Sequence, residues 1–213
     1  MTQTPFLTTA LAALLWVAAT PAQAQSTDLR TWTAAGDVLV GADGGSATLS
    51  TAWLDEAPLS AGSALLFDEL EAALALTPGS LAADTIEGSG LQQSFNTAAG
   101  STLRFDWQLQ TADFAGTQAD RAFVLVDGTT LVELGTVAMA PLAGRFTYTF
   151  ADAGAHALAI VVMDVTAADK VSTLTISGLQ VSAVPEPGQW ALLLAGLAGV
   201  GALGRRRDAQ VTR

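Results

Sequence analysis

Between Ser101 and Gln110 the side chains alternate residue by residue. Leu103, Phe105, Trp107 and Leu109 point one way, and Thr102, Arg104, Asp106, Gln108 and Gln110 point the other. This is the pattern of a half-buried β-strand, apolar toward a core and polar toward water. Related stretches follow at short intervals. Arg121–Asp127 is apolar on both faces, as a central strand requires, and Asp127-Gly128 opens a hairpin turn into Thr130–Thr136. In Arg145–Phe150 the aromatic residues Phe146, Tyr148 and Phe150 share one face. His156–Val165 and Val171–Ser182 are two more strands, with Gly178 marking a bulge where the alternation slips. Nearer the start, Thr31–Ala35, Asp37–Gly41 and Ala47–Ala52 read as short strands, the last two joined by a turn at Ala42-Asp43-Gly44-Gly45.

The period changes at Ser63–Leu76. Leu66, Leu70, Ala73 and Leu74 fall on one helical face, while Asp68, Glu69 and Glu71 load the early turns with negative charge. Thr77-Pro78-Gly79 ends this helix, its acids read as a solvated face, and Ser80–Gly90 reads as a loop. About ten short strands and one helix predict a mainly β fold: an antiparallel β-sandwich, jelly-roll-like, with one short helix.

Such a domain must hold itself together by its core, because the chain contains no cysteine. A single histidine makes any zinc site atypical, and thiolate zinc is excluded. Between Gln25 and Val184 five basic residues face eighteen acidic ones, a net charge of −13. This balance argues against nucleic acid and an anionic membrane surface as partners of the domain, since both call for lysine and arginine patches. Divalent cations, basic surfaces and neutral polysaccharides stay open.

Both ends of the chain differ from its middle. Met1–Ala24 reads as a secretory signal helix, with an apolar core at Leu11–Ala19 and the small-residue pattern Ala22-Gln23-Ala24 placing cleavage after Ala24. Its first residues lack lysine and arginine, which is unusual for such a segment. At the other end no side chain from Trp190 to Leu203 is charged. As a helix, Gln189–Gly204 spans roughly 24 Å against a hydrocarbon core of ~30 Å. Trp190 at one interface and snorkelling Arg205, Arg206 and Arg207 at the other make up the difference and put the terminus on the cytoplasmic side. Pro185 and Pro187 separate this transmembrane helix from the domain before it. The expected organisation is a signal peptide at 1–24, an extracytoplasmic β-sandwich at 25–183, and a membrane-directed tail at 184–213.

The order Val184-Pro185-Glu186-Pro187, glycine-rich apolar span, Arg205-Arg206-Arg207 resembles the PEP-CTERM sorting signal of Gram-negative bacteria. The resemblance implies recognition and processing by an exosortase, a membrane cysteine transpeptidase-like enzyme. Pro185, Glu186 and Pro187 would be the recognition element, the span after Trp190 a transient anchor, and the arginines its stop. The stretches Phe105–Asp113, Asp120–Gly128, Gly154–Val165 and Ser172–Val181 resemble the β-sandwich domains common in exported proteins with this tail. Those domains mostly lack an assigned activity.

Several constellations are candidates for chemistry. Asp106, Asp113, Asp120 and Asp127 recur at even spacing, and Asp113 and Asp120 flank a loop. Loop carboxylates beside backbone carbonyls are the ligands calcium takes, so Asp106, Asp113 and Asp120 form a candidate calcium site. The alternative is solvated edge and turn aspartates. Asp106 and Asp164 are strand carboxylates of the kind a glycosidase pairs. His156 is the one histidine, and no nucleophile elbow accompanies it, Gly88-Ser89-Gly90 lacking the spacing. Trp32, Trp53, Trp107 and Tyr148 are core or edge aromatics, or else stacking platforms for sugars. The reading that follows is a non-enzymatic exported protein without a required cofactor, calcium being the one candidate. Its expected partners are the secretion machinery, an exosortase, the membrane during sorting, and exopolysaccharide.

Overall fold

Strands that bury one face must find a second layer, and here they find it in each other. The computed structural model describes residues 28–81, 84–111, 120–137, 140–165, 170–182 and 194–197. Within the unit Gln23–Val184 the elements are β1 (Thr33–Ala35), β2 (Asp37–Val40), β3 (Ser46–Ser50), β4 (Leu65–Leu66), α1 (Phe67–Ala73), β5 (Glu87–Thr97), β6 (Thr102–Thr111), β7 (Asp120–Val126), β8 (Thr130–Val137), β9 (Leu142–Thr149), β10 (Gly154–Met163) and β11 (Ser172–Ser182). One sheet has the order β1-β5-β10-β7-β8, with β4 also on β5, and the other has β2-β3-β11-β6-β9. All pairings are antiparallel. The chain passes repeatedly from one sheet to the other, in the manner of a jelly roll.

The main core lies between the sheets. Leu103, Phe105 and Leu109 of β6, Phe146 of β9 and Leu174 and Ile176 of β11 meet Leu91 and Phe95 of β5, Val124 and Val126 of β7 and Leu158, Ile160 and Val162 of β10. The rings of Phe105 and Phe146 stack at 5.0 Å. Each fully buried side chain of this size contributes about 1.5–3 kcal/mol relative to exposure. Trp107 is half-buried and Trp32 buried against this core, the latter edge-on to Phe95 at 5.6 Å. The outer face of the second sheet is polar. It carries the Asp106–Arg145 ion pair, the Arg104–Gln180 hydrogen bonds and the Thr48–Thr175 contact across β3 and β11.

A smaller core covers part of the other sheet's outer face. Leu70, Leu74 and Leu81 pack on Phe123 and Leu125 of β7 and on Ala159, Val161 and Met163 of β10. This explains why β7 and β10 are apolar on both sides: they are covered twice. Gly90 of β5 allows that approach, since a Cβ there would stand 2.5 Å from Leu74 Cδ1 and 2.8 Å from Val161 Cγ1.

Five sequence expectations change. The helix is shorter than Ser63–Leu76, because Leu65–Leu66 pair with Gly88 and Glu87 as a strand. Leu66 and Ala73, expected on its buried face, are exposed. Glu71 is buried, not solvated, and its carboxylate accepts from the amides of Gly79 at 2.7 Å and Leu81 at 2.8 Å. The loop expected over Ser80–Gly90 gives way at Glu87 to β5, whose glycines hide a strand beneath α1. Finally, Leu29–Thr31 form a 3-10 turn, so the first strand begins at Thr33 and not at Thr31.

At the passage from β1 to β2 the chain leaves one sheet for the other. Gly36 makes the turn at φ +85°, where a side chain would collide with Ser89. Asp37 follows, fully buried. Its Oδ1 accepts from the Ser60 amide at 2.8 Å and the Ser60 hydroxyl at 2.7 Å; its Oδ2 accepts from the Leu59 amide at 2.8 Å and from the Ser50 hydroxyl. Burial pushes this carboxyl up, but the four donors together hold it below the usual carboxylate range. Asp37→Asn keeps the shape and sets an NH2 against one of the two backbone amides, which cannot turn away. We expect a loss of about 2–3 kcal/mol in urea unfolding. Because the folded group's pKa is depressed, its stabilisation is complete above the ordinary carboxylate range near pH ~4 and is lost as acid protonates it below. The variant should therefore show a flatter acid limb, and an acid limb identical to that of the parent would contradict this account.

Candidate functional site

His156 lies near the start of β10 and is mostly buried, its ring 4.7 Å from that of Phe150. Nδ1 is 2.8 Å from Asp127 Oδ2, and Nε2 is 3.2 Å from the carbonyl oxygen of Asp152. Both partners are acceptors, so the arrangement favours the protonated ring, which can donate from both nitrogens. The hydrogen bond to Asp127 raises the His156 pKa against the opposing effect of burial, helped by the Asp152 carbonyl and the two aspartate charges. Burial pushes Asp127 up, but the bond from His156, a 2.9 Å bond from the Ala157 amide, and the imidazolium charge hold it below the usual range.

The turn makes this pairing possible. Asp127 and Gly128 have φ of +54° and +66°, both left-handed, as a two-residue turn matched to strand twist requires. The Asp127 carboxylate thus leans back from the tip of the β7–β8 hairpin onto β10.

Beside this pair a cavity of about 480 Å³ opens on the outer face of the first sheet. Its floor includes Leu125, Ala157 and Ala159, and Leu74 through Thr77 form one wall. Gln92 and Ser94 of β5 supply polar groups at one side, Asp127 and Gly128 at another. The cavity forms because α1 stops at Ala73, leaving the rest of that sheet face uncovered. Sequence reading missed Gln92 and Ser94. Their one signal is that Leu91 and Phe95 flank them as inward residues, and the neighbouring glycines obscured it.

The sequence-derived candidates are dispersed. Asp106 is exposed on β6 and bound to Arg145, 2.7 Å from Asp106 Oδ1 to Arg145 Nε. Asp120 is buried at the start of β7 in the other sheet, where its Oδ1 accepts from the Val165 amide at 3.2 Å. Asp113 lies outside the described residues. Among those residues no group of three histidine, aspartate or glutamate side chains is placed to hold a metal ion. Asp164 is buried after β10 in the first sheet, so it does not share a sheet with Asp106. Trp53 is half-buried beside a 3-10 turn, its amide donating to Glu56. Tyr148 packs edge-on to Phe150 at 5.2 Å.

Ala22, Ala24, Val184, Pro185, Glu186, Pro187, Trp190, Arg205, Arg206 and Arg207 lie outside the described residues. Residues 194–197 form a helical turn in which Leu194 and Leu197 are exposed. No helix among the described residues is long and apolar enough to cross a membrane.

Residues 183–207 match the family model of the PEP-CTERM protein-sorting motif. The motif implies an exported protein that is sorted by an exosortase. No curated protein matches the chain. Among solved structures, TmCBM61 in complex with β-1,4-galactotriose is similar, with 11% identity and a TM-score of 0.36 over 74% of this chain and 92% of that one. CBM4 is similar at 11% identity and a TM-score of 0.34, over 73% and 96%. The N-terminal cellulose-binding domain from Cellulomonas fimi β-1,4-glucanase C is similar at 12% identity and a TM-score of 0.32, over 71% and 97%.

The His156–Asp127 pair is open to test by pH. A raised folded-state pKa means that its stabilisation is complete below the unfolded value near ~6.5 and is lost as pH rises through the folded value. The denaturation midpoint of the parent should therefore fall as pH is taken upward through that window, and His156→Gln should remove most of the dependence. An unchanged slope in the variant would sink the assignment.

Proposed function

We propose that this chain is a non-enzymatic, exported β-sandwich protein of the cell surface or exopolysaccharide matrix, delivered there through its C-terminal sorting signal. One observation carries the reading. The last strand, β11, ends at Ser182, and the matched sorting motif begins at residue 183. The eleven strands among the described residues therefore precede the Pro-Glu-Pro element in sequence. Removal of the tail beyond it leaves both sheets with all of their described strands.

Binding, in preference to catalysis, is supported by how the titratable groups are used. Both ring nitrogens of His156 are engaged by structural partners, Asp127 and the Asp152 carbonyl, which favours a supporting role. Asp106 is paired with Arg145, and Asp164 follows a strand of the other sheet, which supports a structural use of each carboxylate.

The experiment is the intact mass and cell fractionation of the mature protein, with and without Glu186→Ala. The expected product lacks Trp190–Arg213, is found outside the inner membrane, and is lost in the variant. A full-length C-terminus held in the inner membrane in both proteins would mean an ordinary tail anchor and would end the sorting proposal.

A further inference from the structure

We infer that the cavity between the end of α1 and the β7–β8 hairpin is a binding site for a short, neutral, polyhydroxylated ligand of the size of one or two sugar units. This rests on the binding role proposed above and gives it a location. At about 480 Å³ the cavity lies within the ~300–1,000 Å³ range of small-molecule sites.

Its chemistry narrows the ligand. No lysine or arginine lines it, and His156, when protonated, is already paired with Asp127, so an anion finds no uncommitted counter-charge to recognise it. Its one carboxylate, Asp127, already accepts from His156 on Oδ2 and from the Ala157 amide on Oδ1, so a cation finds that charge engaged. What remains are neutral groups that both donate and accept: the Gln92 carboxamide and the Ser94 and Thr77 hydroxyls. Ligand hydroxyls need that dual character. The outward positions of β10 along the floor are small, Ala155, Ala157 and Ala159. They form a shallow apolar strip that suits the C–H face of a sugar ring.

The wall is held by the chain's own hydrogen bonds. Ala75, at φ +52°, turns the chain away from the helix, and the Leu76 amide donates to the Glu71 carbonyl at 2.8 Å. The buried Glu71 carboxylate holds Gly79 and Leu81 beyond it. The opposite rim is pinned by the His156–Asp127 pair. Little ordering is therefore left for a ligand to impose, which favours binding.

The test is titration of the full chain in detergent with cellobiose, lactose and chitobiose, followed by NMR or calorimetry. At least one should bind. The double variant Gln92→Ala/Ser94→Ala and the variant Ala157→Phe, which fills the trough, should each weaken it by about tenfold or more. Should Ala157→Phe fail to fold, the double variant decides alone. Glu186→Ala should leave the affinity unchanged, so a failure of sorting and a failure of binding are separate results. The inference is overturned if none of the three sugars binds, if only an acidic sugar such as a galacturonate dimer binds, or if binding survives the substitutions undiminished.

Discussion

The two sheets are joined at one end through a buried residue, Asp37. Gly36 carries the chain from β1 in one sheet to β2 in the other, and Asp37 is the first residue across. Its own amide donates to Ser89 Oγ at 2.7 Å, and that hydroxyl donates to the carbonyl of Ser50 at 2.6 Å. Ser89 belongs to β5 and Ser50 to β3, so a three-residue relay links the sheets. The carboxylate then gathers Leu59 and Ser60, folding the segment after β3 over the junction. A charge buried this way is stabilised by amides and hydroxyls aimed at it. In a chain without disulfides, such a relay fixes how the layers are set, which apolar burial, being non-directional, leaves open.

The strands with clear alternation were legible because their faces differ: β6, with Leu103, Phe105 and Leu109 inward and Arg104 and Asp106 outward, is the plainest case. The β7–β8 turn was legible for a different reason, since Asp127-Gly128 is among the few pairs that tolerate left-handed backbone at both positions. β5 was not legible. Its outer face under α1 is made of Gly88 and Gly90, which read as loop when the neighbour that needs the space is unknown. Glu71 misled for a related reason. Helical periodicity places it among exposed acids, while its fate depends on the amides of Gly79 and Leu81, which reach it only once the chain has turned back at Ala75.

The cavity illustrates the same limit at the level of function. Gln92, Thr77 and Asp127 are far apart in sequence, and no spacing rule joins them. They line one cavity because β5, β10 and β7 are neighbours and because α1 is only seven residues long. A helix longer by two turns would have covered this face. The alternation that identified β10 as a strand also left its outward positions as a row of alanines, too small to fill the space themselves.

His156 and Asp127 connect these levels. The pair closes the hairpin tip onto β10, lies against Phe150 at the margin of the main core, and borders the cavity. It can serve as a strut because the protonated ring has an acceptor on each side, and the Phe150 ring packs against it at 4.7 Å. A neutral imidazole keeps one nitrogen as an acceptor and must give up one of the two bonds. The bond to Asp127 is the stronger, being charge-assisted, so the Asp152 carbonyl is the partner released. Loss of the proton would thus loosen the β9–β10 connection at Asp152 before it loosened the hairpin, leaving the cavity rim in place while the strand end frays.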